Sequence, residues 1–261
     1  MLLLLVIVAG WLGGCGGGVH RVKWRGQPNL SNPVYTVAVL PMYNVTNDVE
    51  GPQLVRELMA ERVEQGYYRT VPLDTLDKEL LEKTGITLGS QLELISPKKL
   101  GEILRVDGLL YGYLLDFEDV TTGLVNVKRV RAGFRLVETA TGKTIWTEGL
   151  GVKSLFAAVG VAAVSLPFVV NEGADSVPFS AIEGLSEIPG ISEWHLTRVI
   201  ATEKPEGAAA LYLGEKLVTH AFGVHLRLEA VDMVNRIVRT LPSGPGRVLE
   251  VEDRDGNGTG Q

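Results

Sequence analysis

Leu-Val-Asn-Val-Lys-Arg-Val-Arg-Ala-Gly-Phe-Arg-Leu-Val-Glu, residues 124–138, is the stretch that decides the fold. Apolar and basic residues alternate along its second half, and such alternation places the two sets on opposite faces of a β-strand. The apolar set is Val130, Ala132, Phe134 and Leu136, and the basic set is Arg129, Arg131 and Arg135. The stretch therefore predicts a strand whose apolar face packs against helices.

The neighbouring residues extend this strand into an antiparallel meander of three strands. We expect residues 108–120 and 143–153 to form the flanking strands, with the last two strands joined across Thr-Ala-Thr-Gly at 139–142. The N-terminal half predicts the order β-α-β-α-α, at residues 34–40, 52–66, 67–71, 73–84 and from Ser96-Pro97 onward. We therefore predict an α/β (α+β) fold, a two-layer sandwich of a mixed sheet with helices packed mainly on one face.

Residues 154–171 carry no charged side chain, and two interpretations of this run stay open. One is a hairpin that dips into a membrane or is buried by a partner; the other is a helix covered by its own domain or by a sister subunit. Pro167 would kink a spanning helix. Residues 172–207 lack periodicity and contain several prolines and glycines, which predicts a long irregular loop.

Residues 208–241 return to a helical pattern. We expect the following apolar positions to dock on the sheet: Val224, Leu228, Val231, Val234, Ile237 and Val238. Pro242 ends this pattern, and residues 242–261 predict a disordered tail. Part of the tail, Asp-Arg-Asp-Gly-Asn-Gly at 253–258, resembles the first half of a calcium loop, but the chain ends before the glutamate of the twelfth position.

The N-terminal residues 1–15, Met-Leu-Leu-Leu-Leu-Val-Ile-Val-Ala-Gly-Trp-Leu-Gly-Gly-Cys, resemble a bacterial lipoprotein signal. The apolar run has the length of a signal-peptide core and is shorter than the roughly 20 residues that span a bilayer. Leu12-Gly13-Gly14-Cys15 is similar to a lipobox, which implies a thioether to diacylglycerol on Cys15, cleavage before it, and acylation of the new amino group, for example with palmitate. The lack of Lys or Arg before His20 departs from the usual pattern.

These patterns predict a division of the chain into four parts. Residues 1–14 are the signal peptide, 15–33 the lipidated N-terminus and tether, 34–241 a periplasmic α/β domain with an apolar and loop insertion at 154–207, and 242–261 the tail. Gly16 follows the cysteine in place of the aspartate that keeps many lipoproteins on the inner membrane. We therefore expect a lipid-anchored protein of the outer membrane that faces the periplasm.

Composition excludes several classes of protein. The net charge is −6 and no run of Lys or Arg occurs, so the electrostatic footprint of a nucleic-acid-binding protein is missing. Cys15 is the single cysteine, which excludes disulfides and thiolate metal sites within the chain.

Five short motifs resemble the landmarks of a known family, in the same order: Val37-Ala38-Val39-Leu40-Pro41, Glu64-Gln65-Gly66-Tyr67-Tyr68, Pro97-Lys98-Lys99-Leu100, Asp107-Gly108-Leu109-Leu110-Tyr111 and Thr141-Gly142-Lys143-Thr144-Ile145-Trp146. The family comprises bacterial lipoproteins of unknown function typified by a neisserial surface antigen, and is distantly similar to lipoproteins of curli and exopolysaccharide secretion. The resemblance covers about residues 34–154 and the lipobox. It implies a periplasm-facing α/β domain, self-association, a part in envelope export or assembly, and no known catalytic positions.

Possible chemical motifs each have a simpler interpretation. Gly142-Lys143-Thr144 lacks the upstream glycine and the following helix of a phosphate loop, so a hairpin turn is expected. The four histidines, His20, His195, His220 and His225, show no metal-binding spacing. The basic face of the central strand could grip an anionic polymer, or could pair with Asp116 and Glu118 on the neighbouring strand. We predict no catalytic, cofactor-binding or metal-binding residues, and Cys15 as the lipidation site.

The expected function is that of a non-enzymatic, self-associating structural or assembly component of a cell-envelope export system. Its expected partners are the membrane, through the lipid anchor, further copies of the chain, and proteins of the export complex. The alternative is a periplasmic binding module that carries a lipid or glycan ligand to the membrane. A third option is a hydrolase that uses His195 with a carboxylate. A closed apolar cavity under the helices would favour the binding module, and a large apolar patch near residues 155–170 would favour assembly.

Overall fold

A computed structural model describes residues 27–122, 124–171, 185–221 and 226–246. The seven strands in these ranges are β1 Thr36–Val39, β2 Tyr43–Asn44, β3 Arg69–Thr70, β4 Gly108–Thr122, β5 Val125–Glu138, β6 Thr144–Ala158 and β7 Trp194–Thr202. The α-helices are α1 Gly51–Gln65, α2 Leu73–Thr84, α3 Pro97–Leu104, α4 Val159–Asn171, α5 Pro205–Ala221 and α6 Arg227–Ile237. Short 3₁₀ helices lie at Gly89–Leu94, Leu185–Glu187 and Val238–Thr240.

The strands form one mixed sheet in the order β3-β1-β4-β5-β6-β7, and β2 also pairs with β4. The pairings of β4 with β5 and of β5 with β6 are antiparallel, whereas β1, β2, β3 and β7 join the sheet through parallel pairings. The predicted α/β class, the mixed sheet and the three-strand meander are therefore confirmed. Gly142, with φ +73°, lies in the turn between β5 and β6, which confirms the hairpin interpretation of Gly142-Lys143-Thr144.

Helices cover both faces of the sheet, whereas the sequence predicted them mainly on one. Helices α1 and α6 pack on the apolar face of β5, around Phe134 and Met59. On the opposite face, α2, α3 and the 3₁₀ helix 89–94 pack over a second core that includes Leu109 and Leu80. The physical reason is that β1 and the first half of β4 are apolar on both sides, so each side needs a cover. In β1, for example, Val37 and Val39 belong to the first core and Ala38 to the second.

Local signals in the sequence place most helix ends correctly. Helix α2 has the predicted bounds and ends at Gly85, whose φ of +74° suits glycine. Ser96 accepts a hydrogen bond from the backbone N–H of Lys99 and so caps α3, as expected from Ser96-Pro97. Pro52 lies in the first turn of α1.

The domain extends beyond the predicted range of 34–241 at both ends. The Asn32 side chain donates hydrogen bonds to the Tyr68 hydroxyl (2.9 Å) and to the Ser243 carbonyl (3.0 Å), and the Tyr68 hydroxyl donates to the Pro242 carbonyl (2.8 Å). The backbone N–H of Asn29 donates to the Gly244 carbonyl (2.9 Å). The end of the expected tether and the start of the expected tail therefore bind each other and the body of the domain. Residues 247–261, with the calcium-like motif, and residues 1–26, with Cys15 and His20, lie outside the described residues.

The prediction of an irregular loop at 172–207 was wrong, because β7 and the first turn of α5 lie within it. Strand β7 is nine residues long and pairs in parallel with the end of β6. Val199 and Ile200 supply its β-forming character, but the glycines and prolines around it hid the signal. Helix 208–241 is divided into α5 and α6, and Val234, Ile237 and Val238 dock on the first core as predicted. Leu228 is exposed instead, and Val224 lies outside the described residues.

The uncharged run 154–171 ends strand β6 and then forms α4. Ala162 and Val169 are buried, whereas Val164 and Phe168 are exposed. Neither interpretation of the run is therefore complete, because the described part of the domain covers one face of the helix and not the other. In the described part of the chain, no helix is both long and apolar enough to span a membrane.

We expect Phe134→Ala to lower the free energy of unfolding by about 3–5 kcal/mol, because a fully buried ring leaves a cavity in the first core. Urea unfolding of the full chain in detergent, followed by circular dichroism, measures the loss. The matched control is Leu94→Ala, whose side chain is 82% exposed and whose truncation is expected to change stability by less than about 0.5 kcal/mol. Equal losses in the two variants would contradict the placement of the core.

Candidate functional site

Exposed apolar side chains concentrate at the end of the sheet farthest from the start of β1. We call this surface the apolar end. It comprises the tip of the β4–β5 hairpin, the outer side of α4, strand β7 and the outer side of α5, with the residues Val120, Leu124, Val159, Val164, Phe168, Val199, Leu213 and Leu217. Helices α4 and α5 both contact β6 and β7, so the exposed residues lie around one edge of the sheet. Surfaces of this kind mark interaction sites.

Two small grooves enter the apolar end on opposite faces of the sheet. One, of about 190 Å³, lies between the hairpin tip and α5 and is lined by Leu124, Phe156 and Leu213 among others. The other, of about 250 Å³, lies between the hairpin and α4 and is lined by Val120 and Phe168 among others. Strand β7 ends the described sheet between these faces and offers a nine-residue edge. An edge strand with apolar surroundings is a site where another strand can add.

A larger cleft of about 700 Å³ lies beyond the carboxyl end of β1. The connection from β1 to β3 runs through α1 on one face of the sheet, and the connection from β3 to β4 runs through α2 and α3 on the other. The cleft is therefore at a topological switch point, where open α/β sheets bind ligands. No sequence motif marks this cleft, and its position follows only from the element order β-α-β-α-α combined with the order of the strands in the sheet.

A buried arginine forms the floor of the cleft. Arg56 is 3% exposed, donates from Nε to the Val39 carbonyl (2.9 Å) and forms a two-pronged ion pair with Asp77 (2.9 and 2.6 Å). Because the two charges are opposite, this ion pair leaves the floor of the cleft with almost no net charge. The rim carries the exposed aliphatic side chains Val49, Leu81 and Leu88. The cleft therefore presents exposed aliphatic side chains above a floor whose charges are paired.

The loops around the cleft are held rigidly. A Cβ atom added to Gly89 would lie 2.2 Å from the carbonyl carbon of Met42, so the two backbones are in direct contact there. Asp48 accepts hydrogen bonds from the backbone N–H groups of Glu50 and Gly51 at the start of α1. The cleft is thus preformed, as small-molecule sites usually are.

The basic face of β5 is paired in two of its three positions, as the sequence allowed. Arg129 forms an ion pair with Glu118, and Arg131 forms a buried one with Asp116 (2.6 Å). A β-bulge between Leu114 and Asp116 makes this possible, because it turns Asp116 to the face of Arg131. Arg131 and Lys153 also flank the ring of Trp194, at 4.7 and 4.2 Å from its centroid. These contacts attach β7 to the sheet and do not form an open polyanion site.

A second group of charges attaches α5 and α6 to the other face. Glu215 accepts from Lys128 (3.0 Å) and from Arg198 (2.8 Å), and Arg198 is also 3.7 Å from buried Glu229. Arg198 and Lys128 both stack on the ring of Phe156. Opposite charges balance within the group, so its role is to hold the helices.

The described histidine side chain, His195, lies on β7 with Nε2 3.8 Å from Glu193, and both groups are substantially exposed. His220 lies in α5, and His20 and His225 lie outside the described residues. Within the described ranges, no group of three or more histidine, cysteine or carboxylate side chains could hold a metal ion. His195 and Glu193 have the geometry of a surface pair.

The described chain is a mixed α/β domain with an apolar end and a preformed cleft. Comparison with known proteins gives the class: a model of the family described as "Putative lipoprotein GNA1162-like" matches residues 29–159, and the chain belongs to this family. The resemblance seen in the sequence motifs is therefore confirmed. The match ends where α4 begins, so α4, β7, α5 and α6 lie outside it.

A curated relative, "Putative lipoprotein NMB1124/NMB1162" of Neisseria meningitidis serogroup B, is 26% identical over 139 residues. The aligned region covers 52% of this chain and 64% of the relative.

Several solved structures are similar to part of this chain. The crystal structure of lipoprotein GNA1162 from Neisseria meningitidis is 24% identical, with a TM-score of 0.44, covering 54% of this chain and 99% of that one. The PelC dodecamer from Paraburkholderia phytofirmans is 14% identical, with a TM-score of 0.31, covering 47% and 73%. The LpoB C-terminal domain from Salmonella enterica is 14% identical, with a TM-score of 0.29, covering 50% and 87%.

Proposed function

We propose that this chain is a non-enzymatic lipoprotein, anchored in the outer membrane through acyl chains on Cys15, that works by self-association as a structural or assembly component of an envelope export system. Membership of a lipoprotein family supports the anchor, together with Leu12-Gly13-Gly14-Cys15. The observation that carries self-association is the apolar end, where β7 is the last strand of the described sheet and lies between α4 and α5. Proteins of the export complex would bind the same assembled form.

The position of the tether favours a second copy over the membrane as the occupant of the apolar end. The chain enters the sheet where the backbone N–H groups of Tyr35 and Thr36 donate to Asp107, next to the start of β4. Strand β4 has 15 residues and its far end is at the hairpin tip. At about 3.3 Å per residue, the apolar end lies up to roughly 46 Å from the entry point. An anchor on Cys15 would therefore attach the domain to the bilayer at the end opposite this surface.

A two-fold interface between β7 edges fits the chemistry of the surface. Two copies that add their β7 strands side by side would pair the edge backbone groups and bury Phe168 and Leu217 of both. Because the same patch serves on both sides, such an interface closes on itself. Further contacts would be needed for a larger ring.

We expect Cys15→Ser to move the protein from the membrane fraction to the soluble fraction. Acyl burial is worth about 0.8 kcal/mol per methylene group, and stable anchoring needs more than one chain. Fractionation of cells expressing each form, followed by mass spectrometry of the N-terminal peptide, measures both the location and the modification. Tight membrane association of the serine variant would contradict the anchor and indicate residues 154–171 instead.

We expect the double variant Phe168→Glu/Leu217→Glu to dissociate the full-length protein to monomers in detergent, because each copy would bring buried, unpaired charges to the interface. Light scattering coupled to size exclusion gives the mass of the protein component. The matched control is Leu94→Glu, which places a charge at an equally exposed leucine on the 3₁₀ helix 89–94 and is expected to keep the wild-type mass. A monomeric wild-type protein, or a double variant with the same mass as the wild-type oligomer, would contradict the proposal.

The cleft beyond β1 favours the alternative function, a binding module for a ligand delivered to the membrane. Its exposed aliphatic rim suits an acyl chain better than a glycan, because sugars need many hydrogen-bonding partners. The cleft is open to solvent at this rim.

If the chain is a binding module, we expect a fluorescent long-chain fatty acid to bind saturably to the Cys15→Ser protein in the absence of detergent. We expect the additional change Leu81→Glu to weaken this binding at least about tenfold, because an acyl chain in the cleft would bury the new charge. Fluorescence titration measures the affinity, with Leu94→Glu as the control. Absence of saturable binding, or equal weakening in both variants, would remove the binding module from consideration.

A further inference from the structure

One arginine on the basic face of β5 has no acidic partner. Arg129 and Arg131 each pair with a carboxylate of β4, but Arg135 makes neither a hydrogen bond nor an ion pair with any described residue. Its Nε is buried, and its guanidinium lies over the ring of Tyr111, 5.0 Å from the centroid. The side chain is half-buried, and a ring face alone does not satisfy the hydrogen-bonding capacity of a guanidinium.

Two tyrosines stand beside this arginine on the same face of the sheet. Tyr111 is paired directly with Arg135 across the β4–β5 ladder, and Tyr113 is the next residue of β4 on that face, opposite Gly133. Gly133 brings no side chain between them. Tyr111 and Tyr113 are 6% and 5% exposed, and neither hydroxyl has a hydrogen-bond partner within the described ranges.

The three side chains are all hydrogen-bond donors at neutral pH. Burial raises the pKa of Tyr111 to about 12 and that of Tyr113 in the same direction, so both hydroxyls keep their protons. A guanidinium cannot lose its charge and holds its N–H groups in a planar fork. A group with two oxygen acceptors matches this fork, and the hydroxyls can donate to the same oxygens.

We propose that Arg135, Tyr111 and Tyr113 form a binding site for an oxyanion, a carboxylate or a phosphate group, carried by a ligand or partner. The site is distinct from the cleft beyond β1 and from the apolar end, because the residues that line those surfaces do not include it. Ile188 and Ile191 pack over the neighbouring glycines Gly133 and Gly149 and supply an apolar wall beside the donors.

Glu93 is exposed on the 3₁₀ helix 89–94, and its negative charge contributes to the raised pKa of Tyr113 after burial and in opposition to Arg135. The same charge would oppose a bound anion. Neutralising Glu93 is expected to strengthen anion binding.

The test is isothermal titration of the full-length protein in detergent with sodium phosphate and with sodium acetate, each against sodium chloride of equal ionic strength. We expect saturable binding of phosphate, of acetate, or of both. Arg135→Met is expected to weaken it by about tenfold or more and Tyr111→Phe by about three- to tenfold, because hydrogen bonds that involve charged groups are the strong ones. Glu93→Gln is expected to tighten it.

The matched control is Arg129→Met, which removes the same charge from the same face of the same strand at a position that already has a carboxylate partner. It is expected to leave the affinity unchanged within about twofold at physiological ionic strength, where charges more than about 8 Å away are screened. Tighter binding of phosphate would indicate a phosphorylated ligand, and tighter binding of acetate a carboxylate.

Circular dichroism checks that each variant is folded. If Arg135→Met does not fold, Arg135→Lys, which keeps the charge without the fork, takes its place and is also expected to bind more weakly. No saturable binding of either probe, or equal weakening by Arg129→Met and Arg135→Met, would overturn the proposal.

Discussion

The antiparallel pairing of β4 with β5 is the constraint on which the rest of the structure depends. It runs from Gly108 opposite Glu138 to Thr122 opposite Val125, and every other strand joins the sheet through one of these two or through a neighbour of them. The single bulge after Leu114 decides which side chains face which way along this ladder. Before the bulge, the second face carries Tyr111 and Tyr113; beyond it, the same face carries Asp116 and Glu118.

The bulge thereby divides one face of the sheet into zones with different chemistry. Near the start of β4, helices α2 and α3 bury an apolar surface. In the middle, buried Arg131 pairs with Asp116 across the ladder and also lies over the ring of Trp194. At the hairpin tip, α4 covers a small third core and leaves its outer side apolar. The family match covers the first zones, and the elements that form the apolar end lie mostly outside it. The chain therefore combines a family scaffold with further elements that supply most of the apolar end.

Much of this architecture was predictable from the sequence, because strong periodicity and capping residues occur where the elements are regular. The alternation around Phe134 predicts a strand, Gly85 predicts the end of α2, and Ser96-Pro97 predicts the start of α3. Tertiary structure leaves these local preferences unchanged. The second layer of helices was not predicted, since an apolar strand does not reveal whether one or two faces are covered. Strand β7 was missed because its partner is β6, about 40 residues earlier, and its own residues mix Arg198 with Val199.

The surfaces proposed as sites were less predictable than the fold. Arg56 is on α1 and Asp77 is on α2. They meet at the floor of the cleft because these two helices leave the sheet on opposite faces next to the end of β1. The three arginines of β5 look equivalent in the sequence. The β-bulge turns Asp116 toward Arg131, so Arg131 has a carboxylate partner across the ladder and Arg135 does not. A periodic pattern indicates which face a residue occupies, but not what stands opposite it.

The contact between Asn29 and Gly244 has a practical consequence for how the molecule can be handled. Because the described chain begins and ends at neighbouring places, anything joined directly after Gly246 starts beside the segment that leads to Cys15. A fluorescent reporter or purification handle joined directly after Gly246 would start near this end of the domain and leave the opposite end uncovered. The same proximity makes the domain a candidate for circular permutation, in which a short linker joins the old ends and a new opening is cut at the hairpin tip.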